Sequence, residues 1–471
     1  MASRVLCLVG LRHQSAEDRQ AAMLHRMFGV LPLLVLATLG LLCAALPTAG
    51  QTPLPFRPGA ILLHLTPMAS PQSISFLSVQ NGWRVERTLL DGHAMTLQVG
   101  PGREAAALTL LRQTPGIDAA GLDYLAQATV EPNDPNWPQQ WALPRIGAPA
   151  AWDIVTSTSP ITIAIIDSGI ALTHPDLASQ LWSNPGEIPG NSLDDDSNGM
   201  VDDVHGWHYF HDSAYNPHED ANVQDDHGHG THVAGIAAAA TNNDLGIAGL
   251  AWNGRLMAVK VMDSYGTAWY SDIIAGIGYA ADNGARVINL SLGGSNDSPT
   301  LCAAAAYAHQ KGALLVAAAG NSGGPVLYPA ACADVLAVGA IDQTDRRWDG
   351  SNRGPQLALM APGVDIYSTW YAAALAEDTY LTKTGTSMAA PHVAGAAALV
   401  WSRWPEWDNV AVSRQITLTT ADRGAPGWDP EYGWGRLDAC TAVLTPATTM
   451  RYRYYFPVVR REWSASDGIA P

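Results

Sequence analysis

The chain has 471 residues, 47% of them hydrophobic and 15% charged, proportions that suit a globular protein with a sizeable core and exclude a disordered one. Its formal net charge of −17 argues against a nucleic-acid partner, which needs a basic footprint, and suits an acidic surface able to hold divalent cations.

In chain order, Arg19, His25 and Arg26 precede the apolar run "FGVLPLLVLATLGLLCAAL", and small residues at Thr48 and Gly50 follow it. Residues 1–50 are therefore expected to be an export signal, with Met1, Met23 or Met27 as its start. An uncleaved anchor is the competing reading, disfavoured by Pro32 and the small-residue exit. No second run is long enough to span a bilayer.

Residues 51–130 read as a small separate α+β unit. "AILLHL", "RVERTLL" and "AMTLQV" fit strands, and "GREAAALTLLRQTPG" fits a helix stopped by Pro115 and Gly116. The Pro- and Asn-rich "ATVEPNDPNWPQQWALP" follows as a linker. From 131 to 445, continuous apolar runs ("ITIAIID", "RLMAVKVM", "RVINLSL", "ALLVAAAG", "VLAVGA") alternate with helical patterns such as "YSDIIAGIGYAADNG" and "SPTLCAAAAYAHQKG". This predicts a three-layer, doubly wound, mostly parallel α/β sheet, with ligands bound beyond the carboxyl ends of its strands. The tail, 446–471, carries the basic, aromatic "MRYRYYFPVVRREW" and is expected to add a terminal strand.

Cys7 and Cys43 fall in the signal, leaving Cys302, Cys332 and Cys440. An odd count forbids complete pairing. A Cys302–Cys332 bridge and three buried thiols both remain open.

Four segments carry chemistry. "AIIDSGI" ends a strand at Asp167, and "HGHGTHVAG" gathers His227, His229 and His232 before a small-residue helix. "AAAGNSGG" puts Asn321 after a buried strand, and "TGTSMAAPHVAG" opens a helix at Ser387. A serine nucleophile needs a histidine within reach and a carboxylate to orient it. An asparagine amide can then donate to the oxyanion.

These segments, in the order Asp, His, Asn, Ser, resemble the subtilisin-like serine proteases over roughly residues 132–440. "PNDPNWPQQWAL" and "TNNDLGIAG" further resemble the thermitase branch. The resemblance implies a serine endopeptidase with Ser387 as nucleophile, His229 as general base and acid, Asp167 as its orienter and Asn321 as oxyanion donor. It also implies a substrate groove with Ser291, Leu292, Gly293 and Gly294 on one side, and Gly266 and Tyr270 on an opposing strand. The small groove residues imply broad specificity favouring large apolar or aromatic P1 residues. The unit at 51–130 is then expected to be a self-removed propeptide, both chaperone and inhibitor, cut between Tyr124 and Asn133. A monomer acting on protein and peptide substrates, with no nucleic acid, is expected.

Two other classes compete. One is a catalytically silent relative that binds without cutting. The other is a zinc hydrolase using His227, His229 and His232, which lacks the distant ligands such a site needs.

Calcium is the expected ion. "NSLDDDSNGMVDDVHGW" begins like an EF-hand loop, with Asp194, Asp196 and Asn198, a turn at Gly199 and a carbonyl at Met200. His205 stands at the twelfth position where glutamate belongs, so Asp203, or Asp202, is expected to close a shortened cage. A second set is implied by the thermitase resemblance: Asp134, Asp176 and Asn243 by side chains, and Ala240, Leu245 and Ile247 by carbonyls. His205, His208, His211 and His218 are expected at the surface rather than as ligands.

Overall fold

The computed structural model describes residues 56–444 and 446, apart from 68, 70, 125–129, 157–160 and 212–213. The expected signal and the basic tail lie outside the described residues. The chain divides into two compact units at Gln127 and Ala128.

The first unit contains β1 (Phe56–Leu65), α1 (Pro71–Gln80), β2 (Arg84–Leu89), β3 (Ala94–Gln98), α2 (Glu104–Leu111) and β4 (Ile117–Tyr124). Its antiparallel sheet runs β2-β3-β1-β4. Along β1, Ile61, Leu63 and Leu65 are buried while Leu62 and His64 are exposed, the period-two pattern of a sheet with one covered face. Met95, Leu97 and, from α2, Ala107 and Leu111 complete that core. Two elements escaped the sequence reading. The "PQSISFLSVQ" of α1 is too polar to display an apolar stripe. The "IDAAGLDY" of β4 lacks β-branched residues beyond Ile117 and is held by its pairing with β1.

The second unit is built on an eight-stranded sheet in the order β12-β11-β10-β9-β5-β8-β6-β7. These strands are β5 (Thr162–Asp167), β6 (Gly206–His211), β7 (Pro217–Asp220), β8 (Arg255–Lys260), β9 (Val287–Leu290), β10 (Leu314–Ala318), β11 (Val335–Ile341) and β12 (Leu357–Pro362). All neighbours are parallel except the β6–β7 hairpin. Ile163, Ala164, Ile165 and Ile166 of β5 are fully buried, because helices cover both faces. Helices α3 (His229–Ala238) and α6 (Thr386–Arg403) pack on one face, α4 (Tyr270–Asp282) and α5 (Pro299–Gln310) on the other. This is the expected doubly wound α/β architecture.

The small residues of α3 and α6 have a steric cause. A Cβ on Gly395 would come 2.9 Å from the Ala237 carbonyl, and one on Gly235 would sit 2.2 Å from Thr369 Oγ1. Thr369 and Ser368 lie on β13 (Ile366–Ala372), which pairs with β14 (Glu377–Lys383). Their hydroxyls donate to the carbonyls of Thr231 and His232. This hairpin was not foreseen from the sequence. Cys302 and Cys332 form a disulfide, with Cα atoms 5.3 Å apart, and Cys440 is unpaired. Among the described residues, no helix is long and apolar enough to cross a membrane.

Candidate active site

Strand β5 lies between β8 and β9. The chain reverses its winding direction there, and such a switch point opens a crevice at the strand ends. Asp167 is the last residue of β5 and is fully buried. Its Oδ1 accepts from Ser168 N at 2.8 Å and from His229 Nδ1 at 2.7 Å. Nδ1 therefore carries the proton, which leaves Nε2 as the basic nitrogen. A Cβ on Gly230 would lie 2.1 Å from the Gly169 carbonyl, so only glycine lets α3 start this close to β5.

Burial disfavours the protonated ring. The Asp167 charge and hydrogen bond, helped by Asp225, outweigh it and hold His229 above the ordinary imidazole value, while Lys383 pulls the other way.

Ser387 stands in the first turn of α6, where helical N–H groups lack intrahelical partners. Its hydroxyl donates to the Ser291 carbonyl at 2.9 Å, and Ser291 Oγ donates to the Ser387 carbonyl at 2.8 Å. That carbonyl is available because Pro391, four residues on, has no N–H to give it. The "SMAAP" order thus clamps Ser387 to the end of β9. Asn321 Oδ1 accepts from Thr386 N at 2.9 Å and Thr386 Oγ1 at 2.8 Å. A backbone N–H can only donate, so the amide oxygen is fixed there and Nδ2 is the atom left to donate.

His229, Asn321 and Ser387 line one cleft of about 500 Å³, together with Ser291, Leu292, Gly293, Gly294, Gly266 and Tyr270. The groove differs from expectation on one side. Gly266 and Tyr270 do not lie on a strand: Asp263 organises a turn by accepting from Tyr265 N and Thr267 N, and Tyr270 begins α4. The Tyr270 hydroxyl donates to the Asn296 carbonyl, which braces the segment after Gly294. Gly294 itself exchanges both backbone bonds with Tyr328.

His227 and His232 are not paired with His229 as ligands. His232 Nε2 lies 3.1 Å from the carbonyls of both Ile366 and Leu381, so that nitrogen carries the proton, and the remaining lone pair, on Nδ1, is buried without a hydrogen-bond partner. Burial, then the neighbouring His229, pushes its pKa down to about 3. The His227 ring packs beside Gly266 at the cleft. Of the histidines expected at the surface, His208 and His211 are mostly buried, held by Asp220 and Asp272.

The sequence reading passed over Asp225. This buried carboxylate accepts from Ser168 Oγ, His227 N, Gly228 N, Thr231 N and Thr231 Oγ1. It ties the start of α3 to the residue after Asp167. Its signal was available, since an acid just before a helix start fits the helix dipole. Asp225→Asn is expected to lower kcat by up to about 10²-fold through misplacement of His229. Because Asp225 raises the His229 pKa, the acid limb of kcat/KM moves to lower pH. A pH–rate profile checks this; an unmoved limb leaves Asp225 a purely structural role.

Asp134 and Asp176 are buried. Burial, then the Asp176 charge, holds the Asp134 carboxyl above the usual value, against donation from Asn242 N and Asn243 N. Asn243 Nδ2 and Ile247 N reach Asp176, so the loop holding Ala240, Asn243, Leu245 and Ile247 closes on two like charges. That arrangement fits a cation. At the second site, Asp194 and Asp196 lie together with Glu187, which the sequence reading did not include. Asp203 instead receives Tyr279 Oη, Asn184 Nδ2 and Asn198 Nδ2. Asn198 Oδ1 accepts from Met200 N.

A histidine held by a buried aspartate and a helix-start serine, sharing one cleft at a sheet switch point, define an α/β serine hydrolase. The chain belongs to the subtilase family, whose model matches residues 158–435, and it is a serine endopeptidase. It is 40% identical over 344 residues to a thermophilic serine proteinase of Bacillus sp. (strain AK1), covering 73% of this chain and 76% of that one. It is 39% identical over 314 residues to thermitase of Thermoactinomyces vulgaris, covering 66% and 99%. A protease structure from Pseudoalteromonas arctica is similar with a TM-score of 0.57 at 29% identity, over 67% of this chain and 99% of that one.

Proposed function

We propose that the protein is a secreted, calcium-stabilised endopeptidase made as a precursor, with Ser387, His229 and Asp167 as its triad. Ser387 Oγ attacks the scissile carbonyl while His229 Nε2 takes its proton. The C–N bond then breaks as Nε2 passes that proton to the leaving amine. Water repeats the sequence to release the acyl group. Asn321 Nδ2 and the Ser387 N–H donate to the oxyanion. The observation that carries this reading is the 2.7 Å His229–Asp167 bond beside a cleft shared by Ser387 and Asn321.

In the same reading, Leu292 and Gly293 pair with substrate backbone, and the small groove residues admit large apolar or aromatic P1 side chains with broad selectivity. Residues 51–130 act as the intramolecular inhibitor, and the mature enzyme is a monomer. Asp134, Asp176 and Asn243, with carbonyls of Ala240, Leu245 and Ile247, hold a structural calcium ion. A second ion sits in the loop 194–203. Calcium at the first of these sites would staple distant segments and stabilise the fold by linkage.

N-terminal sequencing of the secreted active form tests the precursor reading. A start between Tyr124 and Asn133 is expected, and an active form retaining residues 56–124 would overturn it. Chelation is expected to lower Tm by roughly 3 °C, since about 2 kcal/mol of lost linkage is divided by an unfolding entropy of about 2 cal/mol/K per residue over a unit this large. An unchanged melting curve would exclude both ions.

A further inference from the structure

The loop 194–203 lacks the long carboxylate that an EF-hand-like cage takes from its twelfth position. His205 stands there, and its Nδ1 is bonded to the Trp182 carbonyl at 2.8 Å. Asp203 is drawn away to Tyr279 and Asn184. A long carboxylate nevertheless reaches the loop from the opposite direction. Glu187, seven residues before Asp194, is 8% exposed. Its Oε1 accepts from Asp195 N at 3.0 Å and Asp196 N at 3.4 Å, which fixes the side chain. Its Oε2 is buried and has no hydrogen-bond partner. A carboxylate oxygen shut from water without a partner is costly to keep, and a cation is the partner that removes the cost.

The carboxylates around Glu187 are spaced for a shared ion. One oxygen each from Glu187, Asp194 and Asp196 lies within 4.8 Å of the other two, the span of ligands placed about 2.4 Å from a common centre. A Cβ on Gly186 would sit 2.5 Å from Asp196 Cβ, so glycine lets the 186–187 backbone press against Asp196. Gly199, at φ +93°, takes the sharp turn that brings Asn198 N and Gly199 N onto Asp194. Asp196 is set separately, by Asn198 N on Oδ1 and by Asn184 Nδ2 and Asn198 Nδ2 on Oδ2, which leaves acceptor capacity on both Asp194 oxygens and on Asp196 Oδ1.

We propose that Glu187, Asp194 and Asp196 bind one calcium ion, with Glu187 Oε2 as the buried ligand in place of the missing twelfth-position glutamate. This rests on reading the loop as a calcium site and changes its ligand set. Three carboxylates with no nitrogen or sulfur donor select a hard cation, and an irregular loop suits calcium better than octahedral magnesium.

The test uses the full chain carrying Ser387→Ala, which prevents self-digestion, and calcium chloride as titrant in a calorimeter. About two equivalents are expected to bind. Glu187→Gln loses one of them, and Asp194→Asn, at a half-buried loop position, loses the same one, which guards against a folding defect at the buried glutamate. Asp176→Asn loses the other and keeps this one. Retention of both equivalents in Glu187→Gln, with one lost in Asp194→Asn, would overturn the role of Glu187 and leave the loop a calcium site. Retention of both in each loop variant would remove the ion from the loop altogether. Absence of binding in every version would end the calcium reading as a whole.

Discussion

Replacing Ser387 with alanine is expected to lower kcat about 10⁶-fold, the loss already known for triad serines rather than one calculated from this geometry. The variant should also accumulate as a full-length precursor. The substitution removes a hydroxyl that stands in the first turn of α6 and shares the cleft with His229. The hydroxyl's own bond to the Ser291 carbonyl is lost, but the helix start stays clamped, because the bond from Ser291 Oγ to the Ser387 carbonyl involves no atom of the Ser387 side chain. Asn321 is equally unaffected, since its orientation is set by Thr386. Residual hydrolysis about 10³–10⁴-fold above water is expected from the oxyanion donors and binding alone. Kinetics on a peptide anilide and electrophoresis of the secreted product measure both effects. Full processing by the variant would reassign the nucleophile.

Asp167→Asn carries the next largest expected effect, about a 10⁴-fold loss of kcat. The carboxylate is wholly buried, with Oδ1 on His229 and Oδ2 unpartnered. An asparagine of the same shape can present its NH₂ to Nδ1. The imidazole then keeps its proton on Nε2 and cannot take one from Ser387. The same change removes the largest influence raising the His229 pKa, so the residual activity should have its acid limb at lower pH than the wild type. A loss below 10-fold, with an unmoved limb, would show that Asp167 does not set the tautomer.

The parallel sheet was legible because β5, β8 and β10 are uninterrupted apolar runs, which only a strand covered on both faces permits. The candidate site was legible because its four residues each sit in an unusual small-residue context. Those contexts have steric causes: Gly230 against Gly169, and Gly395 against Ala237. What stayed hidden depends on contacts distant in sequence. Asp225 reads as one acid among many until Ser168, 57 residues away, is seen to donate to it. Glu187 carries no pattern linking it to Asp194, because a loop fold and not a spacing brings them together. The groove segment at 266–270 looked extended, but Asp263 turns its start and Tyr270 begins a helix. The β13–β14 hairpin was invisible for a related reason. Its residues alternate weakly and are held by bonds to α3.

The central claim is that one serine, activated by His229, performs the chemistry. The direct measurement is labelling of the active protease with a fluorophosphonate, followed by mass spectrometry of its peptides. The account predicts a single adduct on Ser387, formed in step with loss of activity and absent from the Asp167→Asn variant over the same time. Full inactivation with the adduct on another residue, or undiminished activity with Ser387 fully labelled, would contradict it.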